Sequence, residues 1–238
     1  MLASVGIYVL RPWIKHGVNA SYIRHALQYG GGLVPHIYGG LLITATDRMF
    51  ITTLLGVHET GLYAVGAQVG MIIAVLEHSF NLAWTPWLFE KLKRNTPQDR
   101  RLIKTITRAY NVTILILAAG LSMLAPWFLN SFVGKEFVGA ARFVFWLALA
   151  NALGGMYKMV ANQIFFANKT QILAWITLGA GITNVVFNYV LISLNGSVGA
   201  AQATALTYFL YYVATAYFSA RVMATLCREN PTKSPSIL

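Results

Sequence analysis

Residues 61–84 read GLYAVGAQVGMIIAVLEHSFNLAW, a run of 24 residues with a single acidic side chain, Glu77, and no lysine or arginine. A helix rises about 1.5 Å per residue, so about 20 mostly apolar residues cross a hydrocarbon core about 30 Å thick. The stretch is therefore long enough and apolar enough for a transmembrane helix. The same template fits five further stretches, residues 33–56, 110–132, 138–167, 172–194 and 198–227. The fourth and sixth spans are long enough to tilt or to extend past the interface.

Composition agrees with this reading. Apolar residues make up 57% of the 238-residue chain and charged residues 11%, against about 25% charged in soluble domains. A soluble fold of this size could not cover its surface with so few charges. The net charge of +11 does not point to nucleic acid, because the basic residues fall between apolar runs and form no basic face of a recognised fold. An anionic membrane face, with its anionic lipids, is the better partner. The one cysteine, Cys227, has no intrachain partner for a disulfide.

The basic residues also set a topology. Alternate connections collect fourteen Lys and Arg on one side of the bilayer and one, Lys135, on the other. Cytoplasmic loops carry the excess of Lys and Arg, so six spans with both ends cytoplasmic are expected. Around them, residues 1–10 read as the remnant of a preceding transmembrane helix, and residues 11–29 as a basic interfacial connector. Residues 30–228 form a six-helix transmembrane lobe, and residues 229–238 a polar cytoplasmic tail. Between the second and third spans, Pro86 is expected to end a helix at the interface, with Trp84 and Trp87 in the headgroup belt. Pro35 reads as a helix-start proline, or else as a kink or local unwinding of the kind found at transporter substrate sites.

Ionisable groups inside a span are costly, and so are the first functional candidates. Asp47 and Arg48 lie just past the middle of the first full span, Glu77 and His78 in the inner half of the second, and Lys158 in the inner half of the fourth. Glu77 and Lys158 fall at similar depth, about 8 Å inside the bilayer centre at 1.5 Å per residue. They are expected to pair or to share one hydrated cavity; the alternative is a buried polar contact without further role. Asp47 and Arg48 are about 100° apart on a helix and cannot share a partner. Arg48 is either a guanidinium contact for an anionic substrate or part of a structural ion pair. Arg142 is expected to snorkel to the outer interface.

Amides recur in the spans: Gln68, Asn81, Asn151, Asn162, Gln163, Asn184 and Asn188. They suit either a sugar substrate or hydrogen bonds between helices. The glycine pairs Gly39/Gly40, Gly66/Gly70 and Gly154/Gly155 suit close helix packing. Enzyme signals are missing from the sequence. There are only two aspartates, Asp47 and Asp99, and no HExxH, Walker A or GxSxG motif. No enzymatic activity, catalytic residue, metal or cofactor is expected.

The motifs carry a resemblance. Thr46-Asp47-Arg48-Met49-Phe50-Ile51, then Leu55-Gly56 and Glu59-Thr60-Gly61-Leu62-Tyr63, resemble the opening of the second half of a polysaccharide flippase. Asn81-Leu82-Ala83-Trp84-Thr85-Pro86-Trp87-Leu88-Phe89-Glu90-Lys91-Leu92 is similar to the inner-face segment that follows in that family. Gly196-Ser197-Val198-Gly199-Ala200-Ala201-Gln202-Ala203-Thr204 resembles the turn before the last helix of the half. The family is the bacterial O-antigen and exopolysaccharide transporters of the multidrug/oligosaccharidyl-lipid/polysaccharide flippase superfamily, and the likeness extends over about residues 21–221.

The resemblance implies an all-α membrane protein, a six-transmembrane-helix bundle like one lobe of a two-lobe flippase in the bacterial inner membrane. The implied cargo is an undecaprenyl-diphosphate-linked oligosaccharide, bound for polysaccharide or lipopolysaccharide. The implied substrate path is Asp47, Arg48, Glu77, His78, Asn81 and Lys158, with Arg48 and Lys158 toward the pyrophosphate and Asp47 or Glu77 toward a coupling proton or sodium ion. A lone lobe needs a second six-helix lobe or a homodimer, because alternating access rocks one lobe against another; a truncated chain without transport is the other outcome. The rival readings are a multidrug antiporter lobe of the same superfamily, a membrane enzyme of glycan assembly, and a non-transporting assembly subunit.

Overall fold

The structure is a computed structural model that describes residues 20–229. Within them the chain is all-α: α1 (Ala20–Leu55), α2 (Val57–Arg94), α3 (Pro97–Phe128), α4 (Ala141–Phe166), α5 (Thr170–Asn195) and α6 (Ser197–Glu229). A π-helical turn (Leu129–Val133) and a 3-10 turn (Lys135–Ala140) join α3 to α4. Among the described residues no strand occurs. The expected remnant at residues 1–10, the first part of the connector (residues 11–19) and the tail beyond Glu229 lie outside the described residues.

Four helical segments are long and apolar enough to cross a bilayer: Val57–Arg94, Pro97–Val133, Lys135–Phe166 and Thr170–Asn195. Together they make the chain a multi-pass membrane protein. The first and last helices, α1 and α6, are more polar, carrying Thr46, Asp47 and Arg48 in one and a series of Thr, Ser and Tyr residues in the other. Most of this polarity is turned inward. Thr46, Asp47, Thr204, Thr207, Thr215 and Ser219 are all buried.

The connections sort by residue type. At one end of the bundle the chain turns at Gly56 (φ 91°), Gly134 (φ 134°) and Gly196 (φ 61°), a region that glycine enters without a Cβ clash. At the other end it turns at Asn95 (φ 52°) and Asn168 (φ 55°), asparagine being the side chain that best tolerates this conformation. After Asn95, Thr96 caps α3 by accepting from the Asp99 amide at 3.1 Å, and Pro97 takes the first turn. Proline costs little there, because first-turn amides have no intrahelical partner. Lys91 pairs with Asp99 at 3.1 Å across the same corner.

α4 is the central helix. Half of its most apolar window is buried, against 22–33% for the other three spans. It packs on α2, α3 and α6, while α1 packs chiefly on α5, and α5 on α6. Gly39 of α1 faces the Thr177 backbone, and Gly181 of α5 faces Gly39 in return. A Cβ at either position would collide with the opposite backbone, so the two glycines set the close approach of these helices. Gly40, expected to pack as closely, has no neighbour that its missing Cβ would meet.

The structure corrects three expectations. Pro86 does not end a helix; α2 runs through it to Arg94. A proline inside a helix frees one carbonyl, and neighbouring helices hold such a segment in place. Here Trp84 and Leu88, either side of the proline, are both buried in one cluster with α3 and α4. Trp84 is consequently a core residue, 4% exposed and stacked on Trp87 and Phe80, and does not lie in a headgroup belt. Pro35 is not a helix-start proline, since α1 begins at Ala20. For the same reason residues 20–29 of the expected connector are the first turns of α1, continuous with the rest of that helix.

Candidate functional site

Two polar clusters sit inside the bundle. The first is centred on Asp47, 4% exposed. Its Oδ2 accepts from Tyr63 Oη and Thr204 Oγ1, each at 2.5 Å, and its Oδ1 from Asn188 Nδ2 at 2.8 Å. Asn188 Nδ2 also reaches Asn184 Oδ1 at 3.1 Å, and Asn184 Nδ2 reaches Thr207 at 3.3 Å. One carboxylate therefore ties α1, α2, α5 and α6 together through neutral donors. Among the described residues no lysine or arginine forms an ion pair with it. Arg48, its neighbour in sequence, is exposed. The helical turn separates the two side chains as their spacing requires.

The second cluster is the Glu77–Lys158 pair. Lys158 Nζ lies 2.5 Å from Glu77 Oε1, which brings together the two residues whose depths in the sequence match. Glu77 is buried and its Oε2 has no hydrogen-bond partner. Lys158 keeps part of its side chain open. Both line a cavity of about 190 Å³ with His36, Asn151, Tyr157, Thr177, Tyr208 and Tyr211. The aromatic wall is ordered. Tyr157 and Tyr211 stack at 4.0 Å, and Thr177 Oγ1 bonds both Tyr211 Oη at 2.5 Å and His36 Nδ1 at 2.6 Å. Below this, Asn162 Nδ2 donates to Asn81 Oδ1 at 2.7 Å and to Thr85 at 3.1 Å.

Of the six residues expected along a substrate path, Glu77 and Lys158 share the cavity, and Asp47 lies buried beside it on α1. Asn81 is engaged in the contact between α2 and α4, and Arg48 and His78 are exposed. Arg142 sits at the glycine-turn end and is held by Glu59 Oε2 at 2.5 Å, which Ser197 also contacts. The partners Tyr63 and Thr204 and the tyrosine wall were missed by sequence reasoning that looked for charge and amides. A usable signal was present. Thr204, Tyr208, Tyr211, Thr215 and Ser219 recur at three- and four-residue spacing, so one face of α6 is polar in a helix otherwise rich in apolar residues.

A family model described as a polysaccharide biosynthesis protein matches residues 1–142. The chain belongs to this polysaccharide biosynthesis protein family. Two proteins of Haemophilus influenzae are similar to this polysaccharide biosynthesis protein. One, described as an uncharacterized membrane protein, is 30% identical over 151 residues, 62% of this chain and 36% of the relative. The other, named for the Lsg locus, is 25% identical over 160 residues, 67% of this chain and 39% of the relative. The chain thus spans well under half the length of the curated relatives it matches. No solved structure matches this polysaccharide biosynthesis protein.

Proposed function

We propose that the chain is one six-span lobe of a flippase in the bacterial inner membrane. In this reading it carries an undecaprenyl-diphosphate-linked oligosaccharide to the outer leaflet for polysaccharide or lipopolysaccharide assembly. The observation that carries the reading is the cavity at Glu77 and Lys158. Polar and ionic groups from five helices converge on it, in a chain of a polysaccharide biosynthesis family, and buried charge in a membrane protein marks a path or a relay. Hydroxyls, amides and tyrosine rings suit sugars, and Lys158 suits a phosphate.

A cavity of about 190 Å³ holds a few waters but not an oligosaccharide. The cargo accordingly runs along the open face of the lobe, against a second lobe or a second copy, with the cavity as its polar wall. Arg48, exposed on α1, then meets the pyrophosphate on that face. Asp47 is a better coupling residue than Glu77, because Glu77 is neutralised by Lys158 whereas Asp47 has only neutral donors that a proton or sodium ion can complement. Glu77 and Lys158 balance each other, which gives no preference for a cationic drug.

The test is charge exchange in the intact transporter. Appearance of a radiolabelled lipid-linked oligosaccharide at the outer leaflet is followed in cells carrying Glu77→Lys, Lys158→Glu or both. Each single change is expected to slow transport by about tenfold or more, because it sets two like charges against each other in the cavity wall, and the double change to recover most of it. No recovery counts against direct pairing. Normal transport in all three variants removes the cavity from the path.

A further inference from the structure

A second and larger cavity lies away from both polar clusters, at the asparagine-turn end of the bundle. Its volume is about 550 Å³, and it lies between α3 and α6, with α4 behind it. α3 and α6 have little direct contact with each other. They meet at the inner end of this groove through one bond, Asn111 Nδ2 to Tyr212 Oη at 3.1 Å. Arg100, Lys104 and Arg108 line it from successive turns of α3. Among the described residues no aspartate or glutamate lines it, and neither Lys104 nor Arg108 has an ion-pair partner. The opposite wall is apolar or small, with Val160, Ala216, Ala220 and Met223. Two of the lining residues, Thr107 and Asn111, each hold a buried oxygen with no hydrogen-bond partner.

We propose that this groove is a binding site for a phosphate ester of net negative charge with a long apolar chain, held by its phosphate at Arg100, Lys104 and Arg108 and by its chain along Val160, Ala216 and Met223. The spacing fits such a ligand. Arg100 to Asn111 covers about 16 Å of helix, with charge at the end that the Lys and Arg count places in the cytoplasm. A headgroup there sits at the inner-leaflet surface, with its chain against the facing α6 wall. Three cations without acids attract a phosphate at this surface, and basic pockets between transmembrane helices on the cytoplasmic side hold anionic headgroups. Guanidinium groups bind phosphate bidentately. The Thr107 hydroxyl adds a neutral donor to an ester oxygen. The site does not depend on the transport reading, since neither Lys158 nor Asp47 takes part.

The experiment uses the whole chain purified in a neutral maltoside detergent, with thermal unfolding as the readout. Four probes are added separately: phosphatidylglycerol, phosphatidylcholine, undecaprenyl phosphate and inorganic phosphate. Saturable stabilisation is expected from phosphatidylglycerol, from undecaprenyl phosphate or from both, and whichever saturates at lower mole fraction identifies the source. Phosphatidylcholine and inorganic phosphate are expected to be inert. Lys104→Gln with Arg108→Gln should raise the half-saturating mole fraction by roughly tenfold or more, on about 1 kcal/mol per cation at a membrane surface. Arg101→Gln, which removes the same charge from the same helix outside the groove, should change nothing.

Ala216→Phe should fill the groove and abolish the effect with every cation in place. Equal loss in Arg101→Gln overturns the site, because it shows diffuse surface charge. Equal stabilisation by inorganic phosphate or by phosphatidylcholine, or an unchanged response in Ala216→Phe, overturns it as well.

Discussion

Asp47 carries more of the internal structure than any other ionisable side chain. It accepts from Tyr63, Asn188 and Thr204, so its removal strands donors on three helices. Leaving a buried donor unpaired costs about 1–3 kcal/mol. Asp47→Ala is therefore expected to lower stability by about 3 kcal/mol, and Tyr63→Phe, which leaves the carboxylate its other two donors, by about 1 kcal/mol. Thermal unfolding in detergent micelles checks both, and equal losses would mean that the carboxylate is not the hub. Asp47→Asn keeps the size and hydrogen-bonding capacity but not the charge. A folded Asp47→Asn protein with gradient-independent or absent transport is the outcome that the coupling role requires; normal gradient-driven transport removes Asp47 from that role.

The helices owe their positions to a few local devices. Thr96 and Asp99 form the cap that starts α3, with Thr96 Oγ1 donating to Asp99 Oδ2 at 2.7 Å while it accepts from the Asp99 amide. Thr96→Ala is expected to cost about 1 kcal/mol, measured as a shift in the unfolding midpoint. No shift would mean that the Lys91–Asp99 pair alone holds the corner. The α1–α5 contact rests on Gly39 and Gly181. Gly39→Leu forces the two backbones apart, with an expected loss of about 3 kcal/mol from overpacking. Gly40→Leu, one residue on and facing open space, is expected to cost less than about 1 kcal/mol. The two variants compared by thermal unfolding separate packing from a general effect of a larger residue, and similar losses would discount the close approach. Pro35 and Pro86 show why residue type alone misplaces helix ends. Both fall inside helices, and at Pro86 the packing of Trp84 and Leu88 on either side outweighs one missing amide.

The whole bundle is oriented by its charges. Fourteen Lys and Arg in alternate connections, against one, predict that the asparagine turns face the cytoplasm and the glycine turns face outward. Single cysteines at His58, Lys135 and Asn195, each in a Cys227→Ser background, should react in intact spheroplasts with a membrane-impermeant maleimide. A cysteine at Arg101 should react only after permeabilisation. The reverse pattern would invert the topology and move the basic groove to the outer surface. Exposed Met123, Trp127 and Leu194 are ordinary for lipid-facing helices, which need no polar exterior. The share of polar groups turned inward, from Asp47 to Tyr211, is what a bilayer demands of a chain that must also carry hydrophilic groups.

Much of this was legible in order along the chain. Apolar runs of about 20 residues gave the four segments long and apolar enough to cross a bilayer, because this depends on composition over a window and not on contacts. Matching depth alone was enough to pair Glu77 with Lys158, since helices of known direction place equal offsets at equal height. The partners of Asp47 were not legible. Tyr63, Asn188 and Thr204 lie 16, 141 and 157 residues away, and their meeting depends on how each helix is rotated about its axis. That rotation is set by glycine contacts and by packing around α4, which no window of sequence records. The same holds for the groove between α3 and α6. Its cations are plain in the sequence, but only the separation of two helices over a third turns them into a wall, because a cavity is a property of what does not touch.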